Sequence, residues 1–149
     1  MSSEPDPSSL SLIPLGGSGA FGMNCNLYAC EGRLLMVDCG VSFLRLPGGE
    51  SQVTMPDPAW IARRRERLVA MVLTHGHEDH IGAVAAMWPQ LRCPLIATPF
   101  TAWLLRQKLE RAGLASVVQI LEVPPGGRAA AGPFRMRFIG VTHSIAEAQ

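Results

Sequence analysis

The apolar run Leu68-Val69-Ala70-Met71-Val72-Leu73 leads directly into Thr74-His75-Gly76-His77-Glu78-Asp79-His80-Ile81-Gly82, so three imidazoles and the Asp79 carboxylate crowd into six positions. A continuous apolar run of this kind reads as a strand buried on both faces, and it delivers the polar cluster at its C-terminal end. From Asp79 onward Ile81, Ala83, Val84, Met87 and Trp88 recur at helical spacing, with Pro89 expected to end the segment. Asp79 and His80 then lie at a helix N-terminus. His75 and His77 alternate, so locally extended backbone puts both rings on one side, where they can share an ion. The turn into the helix redirects Asp79 and His80 toward a second position nearby.

Imidazole and carboxylate are zinc donors, and a catalytic zinc keeps one coordination position open for water. Two ions about 3.5 to 4 Å apart lower the pKa of a water between them and stabilise the attacking and leaving oxygens of a displacement at phosphorus. Hydrolysis is the chemistry this pattern points to. The chain has four histidines, and the fourth, His143, follows the apolar patch Ile139-Gly140-Val141-Thr142. Alone it reads equally as a core histidine; as the sole histidine outside the cluster it is the candidate for the missing ligand. Asp38, after the apolar run at residues 34–37, reads either as a turn residue or as a carboxylate that orients a ligand imidazole.

With 149 residues, 48% of them hydrophobic, the chain can bury one core, and a single domain is expected. A net charge of +1 gives no bulk signature for nucleic acid, so such a partner must be argued from a site. No apolar run approaches the roughly 18 to 20 residues that span a bilayer, and residues 1–9 carry no apolar signal segment; a cytoplasmic protein without membrane contact is the expectation. Cys25, Cys30, Cys39 and Cys93 show no Cys-x-x-Cys spacing and read as buried free thiols without chemistry.

Residues 1–9 have the composition of a disordered leader, followed by a strand at 10–15. The glycines of residues 16–22 contain a literal G-x-G-x-x-G, but no helix begins within them as a dinucleotide fingerprint requires. Residues 24–30, Glu31-Gly32 and 33–40 read instead as strand, tight turn and strand. Residues 41–55 read as a surface loop, 58–68 as a helix capped by Asp57, and Arg63 to Arg67 as a solvated face that can alternatively touch phosphates. A strand at 95–97 precedes a helix from Thr98-Pro99 to Ala112, with Phe100, Trp103, Leu104 and Leu105 inward. Strands at 117–123 and 134–141 flank the turn Pro124-Pro125-Gly126-Gly127. A hairpin followed by alternating helices and strands implies a mixed sheet with helices on an outer face, an α/β (α+β) fold.

The His-x-His-x-Asp-His pattern, with Asp38 upstream and His143 downstream, resembles the metallo-β-lactamase superfamily. Three segments narrow the resemblance: Ile13-Pro14-Leu15-Gly16-Gly17-Ser18-Gly19-Ala20-Phe21-Gly22-Met23-Asn24, residues 73–82, and Val141-Thr142-His143-Ser144-Ile145. Together these resemble the ribonuclease J family of the β-CASP branch, over residues 10–149. The resemblance implies a four-layer αββα sandwich, of which these residues form the first half, the amino-terminal part of the domain, without the β-CASP domain. It implies two zinc ions, with manganese or magnesium as alternatives, and cleavage of RNA by 5′-to-3′ exonuclease and endonuclease action in RNA processing and decay. Carried across, His75, His77 and His143 bind one ion, while Asp79 and His80 bind the other and are the catalytic residues; Asp38 supports a ligand.

The intact enzyme is expected to be a homo-oligomer with RNA as its partner. The chain departs from the family at Ala20-Phe21, usually an acid and a branched aliphatic residue, and at Ala146, usually proline. The family's bridging aspartate falls beyond Gln149, so the isolated chain is expected to be nearly inactive, with a metal retained by the three histidines and the second position weak. Two other classes share parts of the pattern. A non-catalytic binding subunit would use a sheet edge or the Arg63 to Arg67 face, and a small-molecule hydrolase of the same superfamily would share the histidines but not residues 16–24.

Overall fold

The computed structural model describes residues 9–149; the leader expected at residues 1–9 therefore lies outside the described residues except for Ser9. Strands β1 (Ser11–Gly16), β2 (Cys25–Cys30) and β3 (Arg33–Val37) form an antiparallel meander. Its second turn is Glu31-Gly32, both at positive φ (48° and 71°), the geometry a two-residue hairpin demands. Strands β6 (Leu68–Leu73), β7 (Leu95–Ala97) and β8 (Ile120–Glu122) then add in parallel, giving one six-stranded mixed sheet in the order β1-β2-β3-β6-β7-β8.

The two faces of this sheet have different partners. On one, Leu27, Leu34, Met36, Met71, Leu73 and Leu95 pack with residues of the helices, including Ile61, Ile81, Met87, Leu105 and Leu109. On the other, Leu35, Ala70, Val72 and Ile96 meet Phe134 from the hairpin of β9 (Arg128–Ala131) and β10 (Phe134–Arg137), and Phe138 just after it. The change of side within β6 comes from its pairing: Leu34 faces Leu68 while Leu35 faces Ala70, so Val69 is an extra residue.

Several local expectations are corrected. Residues 41–55 contain a second hairpin, β4 (Ser42–Arg45) with β5 (Ser51–Thr54), whose exposed Phe43, Leu44 and Val53 obscured the alternation. The helix expected at 58–68 is only α1 (Ala59–Ala62) and a 3-10 turn at Arg65–Arg67; the Asp57 carboxylate does accept the Ala59 N–H, at 2.9 Å. The helix after the histidines divides into α2 (Glu78–Ile81) and α3 (Val84–Leu91), and Pro89 lies inside α3. In α4 (Pro99–Arg111) the inward residues are Thr101, Ala102, Leu105 and Leu109, whereas Trp103 is 55% exposed. β8 and β10 are shorter than the apolar patterns at 117–123 and 134–141, and β9, rich in alanine, was not anticipated.

Close backbone contact joins the turn after β3 to α2. Cys39 N–H donates to the His80 carbonyl at 2.7 Å, Val41 N–H to Glu78 at 3.0 Å, and Ala83 N–H to Cys39 at 2.9 Å. Gly40 makes this approach possible, because a Cβ there would lie 1.6 Å from the Asp79 carbonyl oxygen. Gly40→Ala is expected to destabilise the fold by about 3 kcal/mol or more, since backbone rather than a side chain must yield; urea unfolding followed by circular dichroism measures it.

The cysteines are buried apart from the half-buried Cys30. Burial, with the Asp38 charge adding to it, pushes the Cys25 thiol up to about 12; burial likewise takes Cys93 to about 12 and Cys39 well above its ordinary range. A thiol acts as a nucleophile only when ionised. Iodoacetamide at pH 8 is expected to label Cys30 alone in the native protein and all four cysteines in denaturant, as peptide mass spectrometry will read.

Candidate metal centre

The site forms where β3 and β6, parallel neighbours with Val37 opposite Val72, both end. Asp38 follows one strand and Thr74 the other. Asp38 is buried, at 5% exposure and a left-handed φ of 63°, and its carboxylate is satisfied on both oxygens. Oδ1 accepts from the Thr74 backbone N–H at 2.8 Å and lies 3.0 Å from the Thr74 hydroxyl; Oδ2 lies 2.7 Å from Nδ1 of His80. The sequence left Asp38 open between two readings; the structure places its carboxylate on a histidine of the cluster.

That contact orients His80. Burial works against the charged imidazole, but the hydrogen bond and charge of Asp38, with the Asp79 charge, outweigh it and hold the His80 pKa above its ordinary value. With Nδ1 bound to Asp38, the other nitrogen, Nε2, faces Asp79 Oδ2 at 3.4 Å and Asn24 Nδ2 at 3.2 Å. Asp79 and His80 thus present an oxygen and a nitrogen side by side.

His75 is also buried, and burial, reinforced by the charge of His80 and opposed by that of Asp38, lowers its pKa to about 4. It is therefore a neutral imidazole at pH 7. Its Nε2 lies 3.1 Å from Nε2 of His143, and its ring meets those of His77 and His143 edge-on at centroid distances of 5.0 and 4.6 Å. The ligand atoms of His75, His77 and His143 all fall within 4.8 Å of one another. The His75 and His80 rings are 3.9 Å apart, so the two groups adjoin.

This donor set fits a metal. Tetrahedral ligands about 2.0 to 2.1 Å from zinc stand roughly 3.3 Å from each other, close to the His75–His143 separation of 3.1 Å. Three converging ring nitrogens with no acid among them gain more from a shared cation than from each other.

Three residues were absent from the sequence-derived site. Asn24 donates from Nδ2 to the Asp79 carbonyl at 3.1 Å and to Asp79 Oδ2 at 3.3 Å, fixing the position of that carboxylate. Thr74 bridges Asp38 and His75, its hydroxyl 3.0 Å from His75 Nδ1. Glu147 secures the loop that carries His143: its Oε2 accepts the Phe100 N–H at 2.8 Å in the first turn of α4, where a carboxylate also meets the helix dipole. Val141 N–H to the Ala148 carbonyl, 2.9 Å, closes the same loop. Asn24 and Thr74 stood inside quoted motifs; Glu147 has only its loop position as a signal. The Arg63 to Arg67 run precedes β6 and so lies at the opposite end of a six-residue strand from the histidines, about 20 Å away.

The chain belongs to the metallo-beta-lactamase superfamily, whose family profile matches residues 19–138. Solved structures agree in fold: it is similar to the metallo-beta-lactamase fold protein YhfI from Bacillus subtilis, with a TM-score of 0.61 at 16% identity over 90% of this chain and 54% of that one. The metallo-beta-lactamase SMB-1 gives 0.52 at 19% identity over 89% and 54%. Within the superfamily the chain is similar to ribonuclease J of Sinorhizobium meliloti, 42% identical over 93% of this chain and 25% of that protein. Ribonuclease J of Synechocystis sp. is 36% identical over 99% and 23%. The chain therefore spans about a quarter of the length of these relatives.

Removing the orienting carboxylate should loosen the centre without emptying the core. Asp38→Asn is expected to lower zinc affinity at the Asp79–His80 position about 10- to 100-fold, and Glu147→Gln to lower it by a smaller factor at the three-histidine position, in competition titrations with a chromophoric chelator.

Proposed function

We propose that this chain supplies metal ligands of a ribonuclease that hydrolyses RNA phosphodiesters. His75, His77 and His143 hold one divalent ion and Asp79 and His80 contribute to a second, with Asp38 orienting His80. The observation that carries this reading is the meeting of His143 with His75 at 3.1 Å across 68 residues of sequence, which completes a three-imidazole cluster beside the Asp79–His80 pair. The identity to ribonuclease J relatives, 42% over nearly the whole chain, supports RNA as the substrate. Zinc suits the donors best, with manganese or magnesium as alternatives.

When bound, the ions activate water and neutralise charge developing on the phosphate oxygens. The residues prepare for that chemistry. Neutral His75 offers a lone pair without first losing a proton, and Asp38 fixes the tautomer of His80 so that Nε2 faces the site. Asn24 holds Asp79 in place. In this reading residues 10–149 act as the amino-terminal part of a longer domain in a cytoplasmic, homo-oligomeric enzyme of RNA processing and decay, with exonuclease and endonuclease action. A match to about a quarter of its relatives' length supports a place within a longer chain.

Metal analysis of the purified chain is expected to find about one tightly held ion, lost in His77→Ala. Cleavage of 5′-labelled RNA by this chain is expected to be near background, and by the full-length protein to be strong and abolished by the same substitution. Two tight ions per chain with robust cleavage would overturn the division of ligands, and a full-length protein that leaves RNA intact would overturn the ribonuclease reading.

A further inference from the structure

The imidazoles of the centre are not all held in the same way. His80 is bonded to Asp38, and His75 Nδ1 lies 3.0 Å from the Thr74 hydroxyl. His143 rides on the loop that Glu147 secures to α4. His77 has neither device. Among the described residues its ring meets the rings of His75 and His143 and makes no hydrogen bond. Metal-binding imidazoles are normally oriented by a hydrogen-bonded neighbour, so the place of His77 depends on the backbone to either side, Gly76 and Glu78.

Both of these flanks bear on one face of α4. Gly76 packs so closely that a Cβ there would lie 2.2 Å from Leu104 Cδ1. Glu78 reaches Lys108, one turn further along the same face, whose Nζ donates to Oε1 at 2.6 Å and to Oε2 at 2.8 Å. Gly82 leaves room for that carboxylate, since a Cβ there would stand 2.9 Å from Oε2.

The link falls on an element that cannot hold itself. α2 is four residues long, far below the roughly 12 to 15 at which a helix persists alone in water. Its backbone bonds to the rest of the fold run to residues 24 and 39–41. Among the described residues no hydrogen bond other than the Glu78–Lys108 pair joins it to α4. With Glu78 51% exposed and Lys108 25%, the pair adds little to stability. What it fixes is geometry, because both carboxylate oxygens are engaged.

We propose that Lys108 is a positioning residue of the metal centre, holding α2 against α4 through Glu78 and thereby fixing the backbone that presents His77. This role rests on His75, His77 and His143 holding a divalent ion, and not on RNA as the substrate. Charge and position predict opposite signs for its loss. Removing a cation near a metal site favours metal binding by Coulomb's law, whereas loosening His77 disfavours it.

The test is a titration of zinc into the metal-free full-length protein against a chromophoric chelator, the three-histidine step being the one lost in His77→Ala. Lys108→Met is expected to weaken that step about threefold to tenfold, less than the roughly 10- to 100-fold for a group bonded directly to a ligand. It is also expected to shift the ligand-field absorption of cobalt(II) bound in place of zinc. Lys108→Arg, which keeps a two-point bond to the carboxylate, is expected to retain both affinity and spectrum. Arg106→Gln, which breaks the 2.6 Å pair with Glu122 elsewhere on α4, is expected to change neither. Circular dichroism checks that each variant is folded.

If Lys108→Met binds zinc as tightly as the wild type, or more tightly, the positioning role is overturned and the metal reading stands. Equal weakening in Arg106→Gln overturns it too, because loss of any ion pair on α4 would then suffice. A wild-type protein with no zinc step sensitive to His77→Ala overturns the metal reading itself.

Discussion

The buried Asp38 carboxylate is the contact on which the rest of the centre depends. A charge at this depth persists only if its oxygens are satisfied, and here the partners are the Thr74 backbone and hydroxyl and the His80 ring. The same interaction therefore neutralises a desolvation cost, ties the ends of two parallel strands together, and sets which nitrogen of His80 is presented. Because Asp38 sits at a positive φ, its side chain turns back under the histidine loop instead of continuing along β3.

Around that contact the site is assembled from separate stretches of chain whose positions are fixed by different forces. β3 and β6 are placed by burial of their apolar residues, α2 by backbone hydrogen bonds to residues 39–41, and the His143 loop by Glu147 on α4. Three of the four converging imidazoles lie within the stretch that matches the superfamily, residues 19–138, and His143 joins them from just beyond it. The aromatic and thiol groups nearby are packing: Cys39 lies against Met87, sulfur to sulfur at 3.4 Å, inside the helical core.

Much of this was legible from local pattern. The run at 68–73, the Glu31-Gly32 turn and the alternation of His75 and His77 each specify geometry within a few residues, and each formed as read. Asp38 was legible as an alternative because its position after a strand is visible while its partners are not. What sequence pattern did not reveal depends on long-range placement. Nothing local tells Trp103 from Leu105 as the inward residue of α4, because the choice is made by where β7 and β8 lie. Glu147 gains its role only when the chain folds back onto a helix 47 residues away. β9 is built from alanines with little strand preference and exists through its pairing with β10 and the apolar groove beneath.

The stitching of residues 38–41 to α2 has a consequence for how this part of the molecule tolerates change. Met23, Asn24, Gly40 and Val41 are joined by backbone hydrogen bonds of about 2.9 Å, and Leu34 with Leu68 closes the far side of the same frame. Between them the β4–β5 hairpin is an excursion that leaves and re-enters a closed perimeter. Its entry and exit points are held by contacts it does not make itself, so lengthening or shortening the hairpin tip changes loop entropy by only a fraction of a kcal/mol. This is where residues can be gained or lost over evolutionary time, or an inserted module carried, while the frame beneath keeps its shape.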